Sequence, residues 1–192
     1  MTGTIESIRA EYLRYKALAE AAIAQVKESD LSVQHSGTDN SIAVICWHIS
    51  GNFESRFTAF LTSDGEKPWR HREEEFHSRT PTRVELLAKW HRGWEAALNA
   101  LSDLKDEDLQ RTVTIRGQAL QVNEALHRSL AHVAYHVGQI VYIGKSLRGK
   151  DWNFLTIPPG QSDAYNRTPA LERPSTHAQR LGDRRAVRQR RR

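Results

Sequence analysis

Four stretches of this sequence carry apolar residues in alternating steps of three and four, and that pattern restricts the fold more than any other feature. Ile5, Ile8, Tyr12, Tyr15, Ala19, Ala22 and Val26 make the first stripe. Ile42, Ile45, Ile49, Phe53, Phe57 and Phe60 make the second, in a stretch that opens after "GTDNS", where Asn40 or Ser41 can cap a helix. The third starts at Thr80-Pro81, a capping residue followed by proline, and continues through Val84, Leu87, His91, Trp94, Leu98 and Leu101. The fourth begins near Val122, runs to about Leu147 and stops at Gly149. A helix with one apolar stripe must bury it, and four such helices do so most simply against one another. The expected class is all-α, a four-helix bundle over residues 1–150.

The connections are less regular. "TSDGEKPWRHREEEFHSR", between the second and third helices, is long for a bundle, and its Trp69 and Phe76 suggest docking over a rim. In "RTVTIRGQALQV", Val113 and Ile115 alternate with Thr112 and Thr114, and Arg116-Gly117 can turn the chain, so a short hairpin is expected before the fourth helix. After it, residues 151–170 carry enough apolar side chains to fold back on the bundle.

Residues 171–192 hold eight arginines against Glu172 and Asp183, which leaves the rest of the 192-residue chain almost neutral. A basic block of this kind reads as a solvated, disordered tail. No specific nucleic-acid partner is expected, although such a tail can bind phosphates without reading sequence. No apolar run reaches the length of a membrane span. A lone cysteine, Cys46, excludes an intramolecular disulfide, and without a signal-peptide pattern the expected location is cytoplasmic.

Within "LAHVAYHVGQIVYIGK", His132 and His136 stand one helical turn apart, at the border of an apolar face. At that spacing Cβ atoms lie about 5–6 Å apart, close enough for both rings to meet one ion at about 2.0–2.1 Å. The same pair also suits two core histidines with local hydrogen-bond partners. A metal site needs a third ligand from another helix, and His48 in "AVICWHISGN" and His91 in "AKWHRGWEAAL" are both candidates. His35, His71 and His77 fall in loops, His127 on a polar face and His177 in the tail. Val133 follows His132 where a zinc peptidase of the His-Glu type would carry its glutamate, so that chemistry is not supported.

"WHISGN" in the second helix together with "HVAYHVGQI" in the fourth resembles the DinB/YfiT-like superfamily of metal-binding four-helix bundles. A closer likeness, to a branch with no assigned reaction, rests on "SRFTAFLTSDGEKPWRHREEEF", on the W-x-x-G-W run from Trp90 to Trp94, and on "HVGQIVYIGKSLRGKDWNFLTIPPGQS". The resemblance covers roughly residues 5 to 166 and implies that His48, His132 and His136 are the metal triad. Nickel or zinc would suit three nitrogen ligands, and the sequence does not choose between them.

Relatives in that superfamily include S-transferases dependent on bacillithiol or mycothiol. By likeness, the expected function is a metal-dependent S-transferase that activates a low-molecular-weight thiol, with a small-molecule substrate. Cys46 then has no part in the chemistry and reads as a small core residue. Asn52 and Arg56 follow His48 by one and two turns and are candidate substrate contacts, Arg56 for a carboxylate. The alternative for Arg56 is an ion pair with the acidic "REEEF" segment. Gln139 can orient a ligand histidine, and Gly138 reads as a close-packing position. Two other functions stay open: a hydrolase using metal-activated water, and a non-enzymatic ligand-binding bundle, dimeric through a helix face, in stress response.

Overall fold

Helix α1 (Thr4–Ile23), α2 (Ile42–Phe57), α3 (Arg83–Asp103) and α4 (Val122–Arg148) make the computed structural model mostly helical. The structure describes residues 2–34 and 36–189; His35 and the last three arginines of the tail lie outside them. Helix α2 packs chiefly on α3, and α1 on both α4 and the C-terminal segment, with further contacts of α1 to α3 and α2 to α4. Each start has a local cause. The Asp106 carboxylate accepts the Thr4 and Ile5 amides, both at 2.8 Å, and Ser41 Oγ accepts the Val44 amide at 3.2 Å to open α2. Helix α3 opens at Thr82 rather than at Thr80-Pro81, because Thr82 and Glu85 form a reciprocal capping box. Helix α4 stops where Gly149 takes a positive φ of 52°.

Tyr12, Phe53, Phe57 and Trp94 interlock in the core, with Phe53 and Trp94 centroids 4.9 Å apart. The face that α3 buries differs from the expected stripe. Leu86, Trp90, Gly93, Trp94, Ala97 and Leu101 point inward, whereas Val84 is 78% exposed and His91 is also on the surface. Gly93 sets this rotation. A Cβ there would lie 2.5 Å from Ser50 Cα, a backbone atom of α2 that cannot yield. Gly93→Ala is expected to destabilise the fold by about 1–3 kcal/mol through overpacking. A urea midpoint equal to that of the wild type would refute this. Gly138, by contrast, has nothing within 4 Å of an added Cβ, so it is not a packing position.

The hairpin is present: β1 (Thr112–Ile115) pairs antiparallel with β2 (Gln118–Gln121). Arg116 and Gly117 have φ of 54° and 71°, the positive values at both central positions that a type I′ turn demands. The hairpin holds the loop before it, since Asp64 accepts the Arg116 and Gly117 amides at 2.8 and 2.7 Å.

The C-terminal region departs from the expectation of a disordered tail. After the short α5 (Ser162–Arg167), residues Pro174–Gln189 form helix α6, which lies along α1. Leu181 is buried, and His177 Nε2 donates to the Leu155 carbonyl at 2.9 Å. Arg184 reaches the Phe154 carbonyl at 3.2 Å, and Arg185 pairs with the buried Glu20. Charge density suggested solvation, but buried Leu181 and His177 with these two anchored arginines give the segment a docking face. Upstream, Trp152 and Leu155 are buried and Gln25 bonds both the amide and the carbonyl of Asn153. Among the described residues, no helix is long and apolar enough to cross a membrane.

Candidate metal centre

Helix α2 carries His48 inward toward α4, where His132 and His136 sit one turn apart. The three ring centroids lie 4.6 to 5.1 Å from one another. His48 Nε2 and His132 Nε2 are 3.1 Å apart. One ligand nitrogen from each of the three histidines fits within a 4.8 Å span. His48 and His136 are buried and His132 is partly so.

The outer ring nitrogens explain how such rings are held. His48 Nδ1 donates to Glu75 Oε2 at 2.9 Å, which leaves its Nε2 lone pair facing the cluster. His136 Nδ1 donates to Gln139 Oε1 at 2.8 Å, with the same effect. A ring whose outer N–H is bound to a carboxylate or amide oxygen is oriented for metal ligation and made more basic. Among the described residues His132 has no partner on Nδ1, so its proton can sit on either nitrogen, and one Nε2–H suffices to bridge to His48 without an ion.

Glu75 comes from a 3-10 turn at 72–76 in the long loop, and it is buried. Arg70 grips it with two parallel bonds, Nε to Oε1 at 2.8 Å and Nη2 to Oε2 at 2.9 Å. Gly51 leaves it room, since a Cβ at 51 would meet Glu75 Oε1 at 2.2 Å. Phe76, next in the loop, tilts over the His48 ring with centroids 4.6 Å apart. Neither Glu75 nor Arg70 was singled out by sequence reasoning. The signal was present, since "WRHREEEF" is an acidic run beside a bulky aromatic in a loop that had to dock, but nothing local marks which glutamate turns inward.

Asn52 and Arg56 line a cavity of about 230 Å³ shared with His48 and His132. Arg56 Nη1 binds the Gly65 carbonyl and Glu66, at 3.0 Å from the latter, so its acidic partner is Glu66 and not "REEEF". Gln139 contacts His136 directly. His91 is not brought to the cluster; it lies half-exposed beside Glu20, 3.2 Å away. Cys46 is a fully buried core residue whose thiol is pushed up by burial. A larger cavity of about 720 Å³, among α1, residues 152–158 and α6, contains none of the three histidines.

The electrostatics favour neutral rings at His132 and His136. Burial, then the neighbouring His136 and His48, bring His132 down from 6.5 to about 3. His136 is lowered by burial and by His48, against an opposing contribution from Gln139. Burial alone would raise the Glu75 carboxyl, but hydrogen bonds from His48 and Arg70 and the charge of Arg70 outweigh it and hold it below the usual range. Neutral imidazoles are the ligating form.

Between about pH 6.5 and 3 the unfolded chain binds histidine protons that the folded chain refuses, so stability falls as pH drops through that window and is unaffected above it. The urea midpoint of metal-free protein is expected to be clearly lower at about pH 5 than at about pH 7.5. Equal midpoints would count against neutral, buried rings.

Fold and cluster together define a mostly helical protein with a buried three-histidine group of the kind that can hold a metal ion. The model of a family described as "Protein of unknown function (DUF1572)" matches residues 2–161, and the chain belongs to that family. The family is part of a DinB-like clan. No curated protein and no solved structure matches the chain.

Proposed function

We propose that α1–α4 are a DinB/YfiT-like four-helix bundle in which His48, His132 and His136 hold a zinc or nickel ion, and that the protein is an S-transferase for a low-molecular-weight thiol. The observation that supports the ion is the pair of Nε2 atoms 3.1 Å apart, backed by outer nitrogens bound to Glu75 and Gln139. Nitrogens about 2.0–2.1 Å from one tetrahedral ion sit roughly 3.3 Å from each other, so a small adjustment of these rings admits one. Three protein nitrogens leave a position open, as in catalytic rather than structural sites. When bound, such an ion acts as a Lewis acid that favours the thiolate form of a thiol. The chain's own part is to bury the rings, which keeps His132 and His136 neutral, and to orient His48 and His136 through Glu75 and Gln139. Phe76 covers one face of His48 against water, and Asn52 and Arg56 face the adjoining cavity.

A hydrolase reading lacks a base. Both oxygens of Glu75 are engaged by Arg70 and His48. Glu54 pairs with Lys89, Glu124 accepts the Gln121 amide and Glu95 is exposed. On the S-transferase reading the partners are a thiol, a small electrophile and a second copy of the chain rather than nucleic acid, and the place of action is the cytoplasm.

The test is consumption of low-molecular-weight thiols in the presence of an electrophilic dye, with nickel- or zinc-loaded protein. Turnover above background that His132→Ala abolishes would support the transferase. Stoichiometric metal without turnover on any thiol would leave a metal-binding module.

A further inference from the structure

Five arginines line the cavity beside the triad: Arg56, Arg70, Arg72, Arg116 and Arg128. Guanidinium groups stay charged at any working pH, and like charges gather around a cavity only against their mutual repulsion. The carboxylates that face them are few. Glu66 is shared, at 3.0 Å from Arg56, 3.0 Å from Arg116 and 3.8 Å from Arg70. Glu75 serves Arg70 and His48. Arg72 pairs outward with exposed Glu73 and stacks on Phe76. The cavity is left with a surplus of positive charge.

Several of these donors are idle. Arg70 Nη1 is buried with no hydrogen-bond partner, only the longer 3.8 Å ion-pair contact to Glu66, on a side chain that is only 2% exposed. An unmet buried donor is costly in a native protein and calls for an explanation. Arg56 uses only Nη1, and Arg116 uses only Nε of its side chain, so the remaining nitrogens of both are free among the described residues. Arg128 has no partner among them at all. The placement of Arg116 is also unusual. It occupies a positive-φ turn position that Asn or Gly adopts at lower cost, and Asp64 pins that turn through two backbone amides. Backbone strain of this kind persists where the surrounding structure enforces it, and it is frequent at functional sites.

We propose that this cavity is an oxyanion receptor: it binds a small organic anion through a carboxylate or phosphate group held by Arg56, Arg116 and Arg128, with the remainder of the molecule directed toward the histidines. Guanidinium forks match both groups bidentately. At about 230 Å³ the cavity suits a compact molecule rather than a nucleotide or a peptide. The assignment of this anion as a substrate or thiol cofactor rests on the metal-centre reading above; the anion site itself does not.

The experiment is calorimetric titration of metal-free full-length protein with succinate and with inorganic pyrophosphate, at low and raised salt. The comparison is an Arg116→Gln/Arg128→Gln double variant whose melting temperature matches wild type; should the pair fail to fold, Arg128→Gln alone, at an exposed position, replaces it. Saturable binding of at least one anion, weakened by salt and at least tenfold weaker in the variant, is the expected result. A preference for succinate assigns a carboxylate ligand and a preference for pyrophosphate a phosphoryl one. Absence of binding by either, or equal binding by the variant, overturns the proposal. Reconstitution of a second portion of the same protein with zinc or nickel separates the two readings, because protein that takes up either metal yet, when metal-free, ignores both anions sinks the receptor and leaves the metal centre standing.

Discussion

His48→Ala and His136→Ala are each expected to lose zinc or nickel by more than about 100-fold in affinity, while wild type and His91→Ala bind close to one ion per chain. Removing a partner of a ligand already costs 10–100-fold, so removing the ligand itself should exceed that. The geometry makes the comparison clean. His48 and His136 come from different helices, each offers one inner nitrogen to the cluster, and His91 lies apart beside Glu20. Loss of His48 need not unfold the chain, because Glu75 keeps both bonds from Arg70. Elemental analysis of folded variants, with thermal melts to establish that they are folded, is the measurement. A wild type that takes up neither metal after reconstitution would make all three residues core histidines, and the transferase reading would fall with the ion.

The second large effect concerns stability. Arg70→Met should cost about 3–5 kcal/mol, the usual penalty for breaking a buried ion pair by removing one partner. The side chains of Arg70 and Glu75 are 2% and 9% exposed, and two parallel bonds join them. Without Arg70 the carboxylate retains only the His48 N–H and must either stay charged in a poor environment or take up a proton. Adding Glu75→Gln removes the stranded charge, so the double variant should recover much of the loss. Glu75→Gln alone should weaken metal binding by about 10–100-fold, since a neutral amide orients the His48 ring less firmly. Urea denaturation of the metal-free proteins reads the first pair, and metal titration reads the last. A loss under about 1 kcal/mol for Arg70→Met would show the pair to be no more than a surface bridge.

How much of this was legible depended on whether the information was local. Helix α4 was readable end to end because stripe, stop and histidine pair all lie within one periodic segment, and the Arg116-Gly117 turn announced its hairpin by residue type. Helix α3 was assigned a face rotated from the one it buries: Trp94 and Leu101 point inward as expected, whereas Val84 and His91 do not. Val84, Leu87 and His91 satisfy a three-four spacing, yet the close approach to Ser50 of α2 is made at Gly93, which leaves no mark on an apolar count. The order of α6 was hidden in a similar way, with Leu181 and His177 outweighed by arginines. At the site, the histidines could be proposed from spacing and likeness. Their support could not, because Glu75 is 27 residues from His48 and looks like its neighbours Glu73 and Glu74 until the loop is folded.

The close approach of Glu75 to Gly51 has a consequence for descent. The two positions are coupled: a side chain at 51 forces the Glu75 carboxylate to shift, and once the carboxylate is gone nothing in that contact demands glycine. Lineages that abandon the centre should therefore drift at both positions together, while those that keep it should retain Gly51, Arg70 and Glu75 as a set. This three-residue signature lies outside the histidines and can distinguish chains that keep the support of His48 from chains that keep only the helices.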